Sequence, residues 1–321
     1  MRDRACSSVL SLACLVGLAV PLLTAQQLPA ADAVTRPLVS EETAPLEPIA
    51  PTASDGSRAE GFLRKPPGSG PFPAVVLIHG GIVRWPSQQL RDYVLGTWPS
   101  RFLAAGYVVA TITYRNRDVD PQSPDALNDA LAAIDYLRRL SYVDSRSIAV
   151  NGTSGGGDLA LWVAASTSLA GIVAEEPASS MFMGMITKQT PKKGERFTPE
   201  DAMVIHANPA KFFTPEYRKL AQERIAPINC PILIVQGEET SRLNVFNRET
   251  LIPELKAAKK ALEIKGYRGE PHSFAFYSTA ARTPRPAVAA QVFEDIKAWL
   301  GRQVPTQPVP IDARLVKQVP F

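Results

Sequence analysis

The stretch SIAVNGTSGGGDLALWVAAS, Ser147–Ser166, decides the fold. Ser147–Val150 reads as a short strand, Gly152-Thr153-Ser154-Gly155-Gly156 as a sharp turn, and Asp158–Ser168 as a helix. The turn is tight enough that side chains two before and two after the serine would strike neighbouring elements, and glycine removes them. The Ser154 hydroxyl then stands at the end of a strand, near the positive end of a helix. A glycine-rich turn with an idle serine is the plain alternative. The strand–turn–helix setting favours a displayed nucleophile.

Outward from this turn, short apolar runs alternate with helical patterns. Strands are expected at Ala74–Ile78, Tyr107–Thr113, Gly171–Ala174, Pro231–Val235 and Ala261–Lys265. Helices are expected at Leu90–Ala105, Asp125–Leu140, Glu249–Lys260 and Pro286–Trp299. Near-continuous apolar strands separated by helices define a parallel sheet covered on both faces. The fold class is therefore α/β, a doubly wound, mostly parallel sheet. From about 177 to 228 the rhythm breaks, with no clear strand and with Met181, Phe182, Met183 and Met185 near its start. Such an excursion between two strands reads as a cap over a pocket.

The chain has three histidines, so any histidine chemistry uses His79, His206 or His272. His272 lies in YRGEPHSF, Tyr267–Phe274, after the last expected strand and before the last helix, which is the place of a general base. His206 lies inside the cap segment, where packing is its plain reading. His79-Gly80-Gly81 follows the Ala74–Ile78 strand, and its glycines let backbone approach a substrate closely.

From about Gly61 to Arg302 the chain resembles the α/β-hydrolase superfamily, nearest to its dienelactone-hydrolase and prolyl-oligopeptidase-catalytic-domain branch. PFPAVVLIHGG (Pro71–Gly81), NGTSGGG (Asn151–Gly157), PILIVQGEE (Pro231–Glu239) and YRGEPHSF carry the resemblance. It implies Ser154 as nucleophile, His272 as general base, and the N–H groups of Gly81 and Gly155 as the oxyanion hole. His79 is then a structural residue of that loop. The implied substrate is a small-molecule carboxylic ester, cleaved through an acyl-enzyme without cofactor or metal. A serine peptidase and a non-catalytic binding protein of the same fold are the alternatives.

The triad acid departs from the pattern. This branch places an aspartate three residues after the glycine that ends the PILIV strand, and that position is Thr240. Glu239, one residue earlier, is one substitute. Glu176, at the end of the preceding strand, is the other, as in pancreatic-type lipases and fungal glucuronoyl esterases. Two consecutive carboxylates, Glu175 and Glu176, at the end of an apolar strand are costly unless paired or solvated. The plain reading of that cost is that both glutamates face solvent or bind basic cap residues such as Lys192 and Lys193.

The ends of the chain carry other signals. Arg2 and Arg4 precede an apolar run, Ala5–Leu23, followed by Thr24 and Ala25. This reads as a signal peptide over residues 1–25, hence an exported protein with no membrane span after cleavage. An uncleaved anchor is its alternative. Residues 26–57 read as a flexible linker, 58–302 as the hydrolase domain, and 303–321, with four prolines, as an extended tail. Cys6 and Cys14 fall in the signal, so Cys230 has no partner for a disulfide in the mature chain. A net charge of +4 from 35 basic and 31 acidic residues forms no basic patch, which argues against a nucleic-acid partner. The oligomeric state has no signature in the sequence.

Overall fold

The computed structural model describes residues 38–39, 41–187, 190, 195–237, 241–272, 274–275, 286–304 and 316–317. Its strands are β1 (Leu38–Val39), β2 (Leu46–Ile49), β3 (Glu60–Arg64), β4 (Phe72–Ile78), β5 (Val108–Thr113), β6 (Val143–Thr153), β7 (Gly171–Glu175), β8 (Ile232–Gly237), β9 (Leu262–Tyr267) and β10 (Val316–Lys317). The helices are α1 (Ser87–Leu95), α2 (Thr97–Ala104), α3 (Asp125–Arg138), α4 (Gly155–Ser166), α5 (Pro199–Ala207), α6 (Pro209–Phe212), α7 (Pro215–Ile225), α8 (Arg242–Glu249), α9 (Leu251–Ala257) and α10 (Pro286–Gln303). Eight strands form one sheet in the order β2-β3-β5-β4-β6-β7-β8-β9. From β5 to β9 every neighbouring pair is parallel, and β2 and β3 are added antiparallel at one edge.

All seven residues of β4 are buried, because both faces of the strand are covered. Ala74, Val76 and Ile78 face one core with Ala130, Leu137, Leu159 and Leu161 of α3 and α4. Val75 and Leu77 face the other, with Leu90, Phe102 and Trp299 of α1, α2 and α10. Because β4 and β6 to β9 run the same way, the residues that follow them gather at one edge of the sheet. Those residues include His79, Ser154, Glu176 and His272.

Several expectations need correction. Residues 26–57 are not all linker. Leu46–Ile49 is an edge strand of the main sheet, Ala44 and Ala53 are buried, and Thr52 bridges Arg58, so the domain begins before residue 58. LEPI alternates only weakly, which is why the strand escapes a pattern reading. Residues 303–321 are not simply an extended tail either, since Val304 is buried and Val316–Lys317 pair with Leu38–Val39. The helix expected over 90–105 is two helices, broken at Gly96, whose backbone is extended (φ −70°, ψ 175°). The helix expected over 249–260 is α9, and a helix the sequence reading lacked, α8, precedes it and is separated from it at Thr250 (φ −124°, ψ −73°). The signal reading at 1–25 lies outside the described residues. Among the described residues no helix is long and apolar enough to cross a membrane.

Candidate active site

Ser154 occupies the bend between β6 and α4 with φ +54° and ψ −114°, a strained backbone for a residue with a side chain. The surrounding glycines make the bend possible. A Cβ on Gly152 would lie 2.1 Å from the Gly156 carbonyl oxygen, and one on Gly156 would lie 2.4 Å from the carbonyl oxygens of Ile78 and His79. The Ser154 N–H donates to the Glu175 carbonyl at 2.8 Å, and the Ser154 carbonyl accepts from Ala178 at 2.9 Å. The bend is thus fastened to the end of β7.

The Ser154 hydroxyl lies 3.1 Å from Nε2 of His272, in the loop after β9. On the far side of the ring, Nδ1 is 3.5 Å from Oε2 of Glu176. That distance is long for a hydrogen bond, as is common before substrate binds. Glu176 is the residue after β7, has φ +45°, and is 2% exposed. Its Oε1 accepts from Asn244 Nδ2 of α8 at 2.8 Å and lies 3.4 Å from the Gly237 N–H. Of the two acid candidates, the structure brings Glu176 to the histidine. Glu239 lies outside the described residues, as do Thr240, Lys192 and Lys193.

The adjacent carboxyl behaves differently. Glu175 points from the strand into the interior and accepts from Asn151 Nδ2 at 2.6 Å, while its Oε2 has no hydrogen-bond partner among the described residues. Burial, reinforced by the negative charge of Glu176, pushes its carboxyl up to about 8. At neutral pH Glu175 is therefore mostly protonated.

Gly81 and Gly155 face each other closely. A Cβ on Gly155 would lie 2.0 Å from the Gly81 carbonyl oxygen. Gly155 is the first residue of α4, so its N–H has no intrahelical acceptor. Gly81 (φ +88°) is held from behind by the Tyr114 hydroxyl, which donates to its carbonyl at 2.6 Å. The His79 ring stacks between Trp85 and Tyr114 at 4.2 and 4.4 Å, and its Nδ1 is 2.8 Å from the Gly80 carbonyl oxygen. Burial lowers His79 to about 4, so it is a neutral stacking element of the loop.

Two cavities meet at Ser154. The first, of about 490 Å³, is lined by Ser154 and His272 together with Met181, Ile186, Phe197 and His206. The second, of about 370 Å³, is lined by Ser154, His79, Trp85, Tyr93 and Trp98. The segment after β7 that walls the first cavity is pinned from below. Asp158 makes a 2.8 Å ion pair with Arg117 and accepts the Phe182 N–H at 2.7 Å, and Arg224 donates to the Met181 and Phe182 carbonyls. Asn244, Tyr114 and the Arg117–Asp158 pair are site residues that the sequence reading did not single out for these roles. Each acts across a long sequence separation and has no local motif.

Sheet order, the strained serine bend and the edge on which the residues gather are those of the α/β-hydrolase fold, and the chain has that fold. Residues 63–183 match the BD-FAE family, and residues 197–304 match the Dienelactone hydrolase family. No curated protein matches the sequence. Among solved structures, the chain is similar to esterase Est22, with a TM-score of 0.59 at 19% identity over 82% of this chain and 84% of that one. A hyperthermophilic esterase from the archaeon Pyrobaculum calidifontis is similar with a TM-score of 0.55 at 22% identity over 80% and 83%. A Mycobacterium tuberculosis puromycin-hydrolyzing peptidase has a TM-score of 0.59 at 18% identity over 89% of this chain and 42% of its own.

Proposed function

We propose that the protein is an exported serine hydrolase that cleaves carboxylic esters through an acyl-enzyme. The observation that carries this reading is the 3.1 Å contact between the hydroxyl of the strained Ser154 and His272 Nε2, with Glu176 behind the ring. The likeness to esterases supports the ester as substrate, and the charged start and apolar run of residues 1–25 support export.

His272 takes the Ser154 proton as Oγ bonds to the ester carbonyl carbon. The carbonyl oxygen becomes negative between the N–H groups of Gly81 and Gly155. Glu176, behind the ring, stabilises the imidazolium. The imidazolium then gives its proton to the departing alkoxide, the C–O bond breaks, and the alcohol leaves. Water, deprotonated by His272, attacks the acyl carbon and releases the acid and Ser154. Since His272 must reach the leaving oxygen, the alcohol portion belongs on its side, in the 490 Å³ cavity. The acyl portion then faces the aromatic 370 Å³ cavity.

The test is hydrolysis of p-nitrophenyl acetate and butyrate by the mature chain beside Ser154→Ala, Glu176→Gln and Glu239→Gln. Activity that disappears with Ser154→Ala supports the reading, and the larger loss of the two glutamine variants identifies the acid. Wild-type rates no higher than those of Ser154→Ala would refute it, and cleavage of peptide anilides alone would assign a peptidase.

A further inference from the structure

A second serine–histidine contact lies in the same cavity. Ser180 Oγ is 2.9 Å from His206 Nε2, and the two residues are 1% and 5% exposed. Both line the cavity that holds Ser154 and His272. Ser180 is in the turn after β7 and His206 is on α5, so the contact joins two separate walls of the cavity. The His206 ring also packs on Phe246, at 4.9 Å between centroids.

This pair is not a second nucleophile. Ser180 is not among the positive-φ residues, so it does not sit in a strained bend of the Ser154 kind. No carboxylate ion pair to His206 occurs among the described residues, whereas His272 has Glu176. Burial, aided by the charge of His272, lowers His206 to about 4, so the ring is neutral at ordinary pH. A neutral imidazole and a hydroxyl carry two polar hydrogens between them, and their mutual hydrogen bond uses one. If Ser180 donates to Nε2, the free hydrogen is on Nδ1; if Nε2 donates, it is on Oγ. Among the described residues the two side chains hydrogen-bond only to each other. One donor is therefore left in the lining of a cavity that also presents the apolar Met181, Ile186, Phe197 and Leu243 and the polar Ser241 and Arg242. Leaving such a group unsatisfied beside a bound apolar substrate costs about 1–3 kcal/mol.

We propose that the Ser180–His206 pair determines specificity by hydrogen-bonding a polar group, such as a hydroxyl, on the alcohol portion of the substrate. The preferred esters then have an apolar alcohol that carries one hydrogen-bonding group away from the ester oxygen. This rests on the esterase reading and on the alcohol lying on the side of His272.

The experiment compares two butyrate esters of equal length, n-hexyl butyrate and the monobutyrate of pentane-1,5-diol, in which a hydroxyl replaces the terminal methyl. Pairs one methylene shorter and longer cover the unknown reach. The readout is the kcat/KM ratio of hydroxyl to methyl ester, with p-nitrophenyl butyrate and fluorophosphonate labelling of Ser154 as controls and thermal melts to confirm folding. The wild type is expected to favour the hydroxyl ester at one length, and Ser180→Ala and His206→Leu to lower that ratio about 3- to 10-fold, the value of one neutral hydrogen bond. Ser180→Thr, which keeps the hydroxyl, restores the ratio. A variant that slows both esters equally shows a purely structural contact and overturns the proposal, as does a wild type with no preference at any length. If p-nitrophenyl butyrate is also untouched and Ser154 is unlabelled, the esterase reading itself falls.

Discussion

The two serine–histidine pairs, Ser154–His272 and Ser180–His206, line one cavity at almost the same separation, 3.1 and 2.9 Å. Distance therefore does not distinguish the pair proposed to react from the pair proposed to recognise. What differs is what stands behind each pair. Ser154 is strained at φ +54° at the start of a helix, and His272 has a buried carboxylate 3.5 Å from its far nitrogen. Ser180 lies in the turn after β7, and His206 has an aromatic ring for a neighbour and a depressed affinity for protons. A base needs an anion to hold its cation, and only His272 has one among the described residues.

The largest expected effect breaks the comparison if it fails. Ser154→Ala should lower kcat on p-nitrophenyl esters about 10⁶-fold, to background, although Ser180–His206 remains whole. Residual turnover that vanishes only on adding Ser180→Ala would make the second pair a nucleophile. Next, Glu176→Gln removes the anion behind His272 and should cost about 10³- to 10⁴-fold in kcat with little change in KM. Glu239→Gln in the same assay should fall far short of that loss. A reversal of that order would move the acid to the loop after β8.

Gly155→Ala tests the oxyanion geometry. Its added methyl would lie 2.0 Å from the Gly81 carbonyl oxygen, so the two N–H groups must separate. A loss of about 10²- to 10³-fold in kcat is expected in a variant that still melts cooperatively. Wild-type kcat would show that the donors lie elsewhere.

The contrast between the pairs also sets what could be read without a structure. The Ser154 bend was legible because its geometry is local: glycines two positions either side, a strand before and a helix after. The His272 loop was legible from its position between the last strand and the last helix. Glu176 had a weaker local signal, the cost of two carboxylates ending an apolar strand. The Ser180–His206 contact had none, because its members are 26 positions apart in sequence and only packing brings them together. Asn244, which donates to Glu176, is likewise 68 residues away in sequence. At the fold level, the buried parallel strands announced themselves by apolar runs, while β2 and β3 at the antiparallel edge and the split at Gly96 depend on backbone conformation rather than hydrophobic period.

The smallest effect concerns Glu175, the buried neighbour of the proposed acid Glu176. Glu175 has a folded-state value near 8 against an ordinary 4.5, so between these values the folded protein holds a proton that the unfolded chain has lost. The stability this proton provides is fully present below pH 4.5 and is lost as pH rises through about 8. His79 and His206, both lowered to about 4, act in the opposite sense, but only below their ordinary 6.5. Between pH 6.5 and 8 the Glu175 slope is therefore free of theirs. Glu175→Gln, which mimics the protonated acid, should remove that slope. The gap in melting temperature between variant and wild type should widen by about 4 °C over this interval, from ~2 kcal/mol of proton linkage. Catalytic activity should change by about twofold or less, since Glu176 stays in place behind His272. A constant gap across the interval would mean that Glu175 is ionised throughout.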